Sequence, residues 1–174
     1  MFPSAMALPQ QGTSQAKEFY ATSSPFEEII GYYRAVRHGN HIFVSGTTAV
    51  DPHSPASAPQ ILYPGDAKQQ TRVALEECIK AIQALGGKGA QSVVRVKMFV
   101  SRHEDCLAVG EGFREVLGKH LHCEGGGQIG AAATMIVVQN GFINKDMLCY
   151  CEETSPTARK NEDAQRKKSD QKQN

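Results

Sequence analysis

The residue best placed to do chemistry stands near the end of the last β-prone run. If Met147–Glu152 is a strand, Leu148, Tyr150 and Glu152 share one face, and Cys149, Cys151 and Glu153 share the other. A carboxylate in a partly buried cleft has a raised pKa and can position or deprotonate water. The same pattern also describes a solvated acid at a strand end, and on sequence alone both readings stand. Arg34 and Arg37 lie in an earlier β-prone run, where a guanidinium could clamp an anion or simply be solvated. Alternation puts Arg37 on the face of Tyr33 and Arg34 on the other, unless a bulge intervenes. His120-Leu-His122-Cys123-Glu124 offers ligand types, but no second pair stands at a zinc-site spacing. Gly118, Gly125, Gly126, Gly127 and Gly130 mark that stretch as a flexible loop that could act as a lid. It also lacks the lysine and helix start of a phosphate loop. No metal and no cofactor are expected.

The elements that must position these residues follow from periodicity. Tyr32–Val50 reads as a hairpin turning at Gly39-Asn40. Asp66, followed by Gln69, opens a helix with Leu75, Cys78, Ile82 and Leu85 at helical spacing, closed by Gly86-Gly87. Ser92–Val100 alternates as a strand with Val94, Val96, Met98 and Val100 on one face. Ser101 and Glu104 form a second capping box before a helix carrying Cys106, Val109, Phe113, Val116 and Leu117. Ala131–Val138 and Met147–Glu152 complete a ββαβαββ order. Two helices would cover one sheet face and leave the other bare, so the chain is expected to oligomerise.

The chain has 174 residues, 40% of them apolar, and a formal charge of +1. That fits one domain with one core and makes no case for a nucleic-acid partner. No apolar run approaches the roughly 20 residues of a membrane span. The five cysteines show no disulfide spacing, which reads as reduced thiols in a cytoplasmic protein. Residues 1–24 are expected to be flexible, residues 25–154 to form the domain, and the charged residues 155–174 to be disordered.

Five strings within this order resemble the Rid (YjgF/RidA) family: Ile42–Gly46, Gln70–Leu75, Val93–Val100, Ala132–Ile136 and Asn144–Leu148. The resemblance spans about residues 26–153. It implies an α+β, chorismate-mutase-like fold, a homotrimer whose three sheets form a barrel, and clefts between subunits. It also implies hydrolysis of enamines and imines to a carbonyl compound and ammonia. By this resemblance Glu152 holds the attacking water, Tyr33 orients the substrate, and Ser45 lines the site. The family's carboxylate-clamping arginine falls at Ala133, two residues after Ala131, which occupies the family's proline position, so this chain resembles a divergent branch.

Losing such a charge-assisted pair costs on the order of 2–5 kcal/mol. The substrate is therefore expected to be less anionic, or larger and more apolar, than an amino-acid imine. Ala133, Thr134 and Met135 would contact it, with Arg37 or Arg34 as replacement cations. Two other functions fit the same cleft. One is proton transfer (tautomerisation, isomerisation or cyclisation) on a specialised metabolite. The other is non-enzymatic ligand binding or chaperoning by a trimer.

Overall fold

Gly39 takes φ 61°, so the two-residue turn after β2 (Ala35–His38) has glycine where a left-handed conformation is needed. His38 pairs with His41, and the chain returns as β3 (His41–Thr47). The protein is described here from a computed structural model covering residues 16–55 and 57–156. Residues 1–15 of the expected flexible segment and residues 157–174 of the expected tail lie outside the described residues. Two short elements precede β2: β1 (Glu18–Tyr20), paired antiparallel with it, and α1 (Pro25–Ile30). β1 falls inside the stretch expected to be flexible, because Phe19 and Tyr20 find a strand edge to join. At the other end, Ser155 and Pro156 belong to the last strand, and Ser155 is fully buried.

The remaining elements are α2 (Ala67–Ala84), β4 (Arg95–Val100), α3 (Cys106–Leu117), β5 (Ala132–Val137) and β6 (Cys149–Pro156). The strands form one sheet in the order β1-β2-β3-β6-β4-β5, antiparallel except for the β4–β5 pair. Asp66 caps α2 by accepting the Gln69 N–H at 3.0 Å. At the other end, the Gly87 N–H reaches back to the Ile82 carbonyl, with Gly86 left-handed. The second expected capping box does not form. Ser101 Oγ is buried without a partner, and α3 starts only at Cys106, after a 3₁₀ turn in which Asp105 is held by Arg102.

α2 and α3 cover one face of the sheet. Ala74, Leu75, Cys78 and Ile82 of α2 and Val109 and Leu117 of α3 meet Ile42, Val44, Val96, Met98 and Val100. Burying a Leu or Ile side chain stabilises by about 1.5–3 kcal/mol, so this contact holds the two layers together. Cys149 and Cys151 point into the same core. Val93, not Val94, enters it too, because the chain reaches β4 from a 3₁₀ turn at Gly89–Ser92. The opposite face carries Phe19, Val36 and Phe43 in one cross-strand row, and Phe19 and Phe43 are exposed. No helix of the described residues is long and apolar enough to cross a membrane.

Candidate functional site

β6 alternates as its sequence requires: Cys149, Cys151, Glu153 and Ser155 are buried, while Tyr150 and Glu152 face away from the helices. Glu152 is held from two sides. The Tyr150 hydroxyl donates to its Oε1 at 2.6 Å, and Lys97 Nζ on β4 stands 3.3 Å from its Oε2. Lys97 reaches it because the two residues are direct cross-strand partners. Burial and the hydrogen bond to the Glu152 carboxylate push the Tyr150 phenol well above the ordinary tyrosine range. Tyr150 therefore stays protonated as a donor.

This pair lines a largely apolar cavity of about 520 Å³. Phe26 and Ile30 of α1 line one side, and Phe142, Ile143 and Met147 line the other, with Tyr32, Ser45 and Gly46 between them. Gly46 is required there. A Cβ at this position would meet the Tyr150 ring, which lies across β3 at the bulge between Val44 and Thr47. The second wall is set by Gln70, a fully buried amide on α2. Its Nε2 donates to the carbonyls of Tyr63 and Asp146, and its Oε1 accepts the Leu148 N–H at 2.8 Å.

The expected site residues separate in space. Ser45 lines the cavity beside Glu152, with its hydroxyl donating to the Tyr33 carbonyl at 2.8 Å. The Tyr33 ring packs on Phe19 at 4.5 Å, and the tyrosines that line the cavity are Tyr32 and Tyr150. Tyr33 lies before the start of β2, outside any strand, so the alternation extrapolated to it does not hold. Arg34 also lines the cavity, but it is buried and held by its neighbours. It donates to Glu27 at 2.9 Å, to the Gly46 carbonyl at 3.1 Å and to Thr47 Oγ1 at 2.8 Å. It is thus neither a solvated strand arginine nor a free clamp. It locks α1, through Glu27, against β3, and so fixes the Phe26 wall. Arg37 points to the helix side, where it donates to the Leu85 carbonyl at the end of α2, at 3.1 Å. Ala133, Thr134 and Met135 lie on β5, an edge strand separated from β6 by β4, and within one chain they do not line this cavity. Ala133 is in register with Val96 of the helix-covered face, whereas Thr134 is in register with Lys97. Residues 121–129 fold as a small hairpin. His122 is bridged to Gln128, and the Cys123 thiol donates to the Gly127 carbonyl at 3.1 Å. Burial pushes the Cys78 thiol up, and the sulfur contact with Cys149, together with burial, does the same for Cys151, so neither is an activated nucleophile.

Sequence reasoning put Tyr150 on the face of Glu152 but gave it no role, and it passed over Lys97 and Tyr32. The outward parity of Lys97 between Val96 and Met98 was readable. Its pairing with Glu152 was not.

A single sheet with two helices on one face and an acid–phenol pair on the other defines a chorismate-mutase-like α+β protein. The chain belongs to the YjgF/Rid family: the family model described as Endoribonuclease L-PSP matches residues 22–139. Among its relatives is an uncharacterised protein of Streptomyces coelicolor, SCO2049, 31% identical over 80% of this chain and 92% of that one. A RutC family protein of Pyrococcus abyssi is 32% identical over 60% of this chain and 77% of its own length. Among solved structures, Rv2704 of Mycobacterium tuberculosis, a member of the YjgF/YER057c/UK114 family, superposes with a TM-score of 0.62. It is 26% identical and covers 82% of this chain and all of its own. The YjgF gene product of E. coli has the same fold, with a TM-score of 0.61 at 23% identity over 81% of this chain and 99% of its own. The match to the family model ends before β6.

Proposed function

We propose that this chain hydrolyses an enamine or imine to a carbonyl compound and ammonia, with Glu152 as the general base. The observation that carries the reading is the Tyr150–Glu152 contact of 2.6 Å in the lining of the apolar cavity. The enamine is first protonated at carbon to its iminium. Water then adds to the iminium carbon and gives its proton to the Glu152 carboxylate. The resulting carbinolamine takes that proton on nitrogen and expels ammonia while its hydroxyl proton passes to the Glu152 carboxylate and on to solvent, leaving the C=O and restoring the proton consumed at carbon. Tyr150, kept protonated, donates its one O–H to the carboxylate and so orients it. An iminium carbon is already electrophilic, so no cofactor is required.

The cavity walls, Phe26, Ile30, Phe142 and Met147, favour a substrate bulkier and more apolar than a simple amino-acid imine. The exposed row of Phe19 and Phe43 on the open face, and the uncovered edge strand β5 with Ala133, Thr134 and Met135, support a homotrimer that closes the cleft between subunits and returns Tyr33 to it. The acid–phenol pair also favours a second reading, proton transfer such as tautomerisation on the same substrate class. Release of ammonia from 2-aminoacrylate and from an aryl-substituted enamine, generated in situ, tests the first reading. Glu152→Gln should lower the rate by about 10²–10⁴-fold. Full activity in that variant would sink both enzymatic readings, and isomerised product without ammonia would favour the second.

A further inference from the structure

A second cavity lies back to back with the first. It measures about 310 Å³ and is the more enclosed of the two. Small-molecule sites run from roughly 300 to 1,000 Å³. Ser24, Arg34 and Thr48 line both cavities. Val73 and Glu77 of α2 form one wall of the second, and Tyr20, Val50 and Leu62 add apolar surface.

The two charged residues in this lining are not equally available. Arg34 is committed, because its donors go to Glu27, to the Gly46 carbonyl and to Thr47 Oγ1. The Glu27 carboxylate offsets its charge, so an anion finds no free cation in the lining. One Glu77 oxygen accepts from Lys80 at 2.6 Å, and among the described residues the other has no partner. At Glu152 both oxygens are taken, by Tyr150 and by Lys97. The uncommitted acceptor therefore belongs to the second cavity and not to the first.

We infer that this second cavity binds a primary organic ammonium with an apolar body, and that its occupancy tightens α1 over the first cavity. An ammonium carries three donors. One meets the free Glu77 oxygen, and the Ser23 and Thr48 hydroxyls of the lining accept the others. Tyr20 supplies an aromatic ring, which attracts cations. The apolar body packs on Val50, Leu62 and Val73. The coupling runs through Thr22, another lining residue, whose N–H and hydroxyl both donate to Glu27, at 2.7 and 2.5 Å. Glu27 belongs to α1, which carries Phe26 and Ile30 into the wall of the first cavity. A ligand that orders Thr22 and Ser23 thus orders the helix. By linkage, a ligand in the first cavity favours the ammonium in the second by the same factor.

The test is calorimetric binding of 2-phenylethylamine, protonated at pH 7, and of neutral 2-phenylethanol to the full chain. The amine should bind about tenfold more tightly. Glu77→Gln should bring the two ligands to parity, and Glu152→Gln should leave the preference intact. Val73→Phe fills the second cavity from α2 and should abolish binding of the amine. Thermal melting of each variant shows that folding is kept, and if Val73→Phe does not fold, the two glutamate variants decide. Hydrogen exchange read by mass spectrometry follows the coupling. The amine should slow exchange over residues 27–32 severalfold and leave α3 unchanged. No preference for the amine, a preference that survives Glu77→Gln, or one lost in Glu152→Gln instead overturns the site. Binding with unchanged exchange over residues 27–32 overturns the coupling. Neither readout needs turnover, so failure of the hydrolase reading leaves the second site standing.

Discussion

Glu153→Gln should remove most of the pH dependence of this protein's stability between pH 5 and 9. Glu153 pairs with Val44 and Val96, on the helix-covered face, and is only 2% exposed. Among the described residues neither of its carboxyl oxygens has a hydrogen-bond partner. The titratable groups that face it are Cys78 of α2 and Cys151 of β6. The cation on that side, Arg34, is committed to Glu27 at 2.8 Å. Burial pushes the Glu153 carboxyl from 4.5 up to about 8. Below pH 4.5 both folded and unfolded states carry the proton, and the group contributes nothing to pH dependence. Between 4.5 and 8 the unfolded chain has released the proton and the folded one has not, so stability falls as pH rises. At about 1.4 kcal/mol per pH unit, that interval is worth on the order of 5 kcal/mol once pH exceeds 8.

The assay is urea unfolding followed by far-UV circular dichroism at fixed protein concentration, from pH 5 to 9, on the wild type and on Glu153→Gln. The amide occupies nearly the same volume and cannot ionise. The two proteins should differ little at pH 5, and the variant should be the more stable by several kcal/mol at pH 9. The Cys78 and Cys151 thiols, which the Glu153 charge also helps push up, are held well above the ordinary thiol range chiefly by burial and, for Cys151, by the Cys149 contact, so the difference curve reports mainly Glu153. Parallel curves across that range would refute the reasoning, because they would mean that the carboxyl finds a partner or water on ionising.

Two further outcomes follow from the site. Arg34→Met leaves Glu27 buried without its cation and should destabilise by about 3–5 kcal/mol. Adding Glu27→Leu should recover much of this, as read by urea midpoints. Gly46→Ala drives the Tyr150 ring off β3 and should cut turnover of an aryl enamine roughly a hundredfold, since misplacement of about 1 Å at a reacting site has that effect. Its melting temperature should shift far less than that of Arg34→Met, which separates a displaced ring from a broken scaffold.

The sequence by itself determined the order of the layers. Alternation in Arg95–Val100 and Cys149–Glu153, helical spacing in Ala67–Ala84, and glycines at 39 and 86 are local properties. Side-chain direction along a strand or helix follows from backbone geometry alone. For the same reason Cys149 and Cys151 were legible as core thiols and Glu152 as an outward acid. Alternation failed just before β2, where residues 31–34 are not in a strand. Arg37 keeps the helix-side parity of Ala35, but Tyr33 lies in the irregular residues before β2 and packs on Phe19 instead, and Arg34 is buried. What only the tertiary structure decided was which outward residues meet. Lys97 and Glu152 are 55 residues apart and become neighbours through the β4–β6 register. Phe26, Gly46 and Phe142 form one cavity because the buried Glu27–Arg34 pair and the Gln70 amide pull a short helix and a loop onto the same strand end. Contacts of that kind depend on how strands pair and layers stack, and no local period in the chain encodes them.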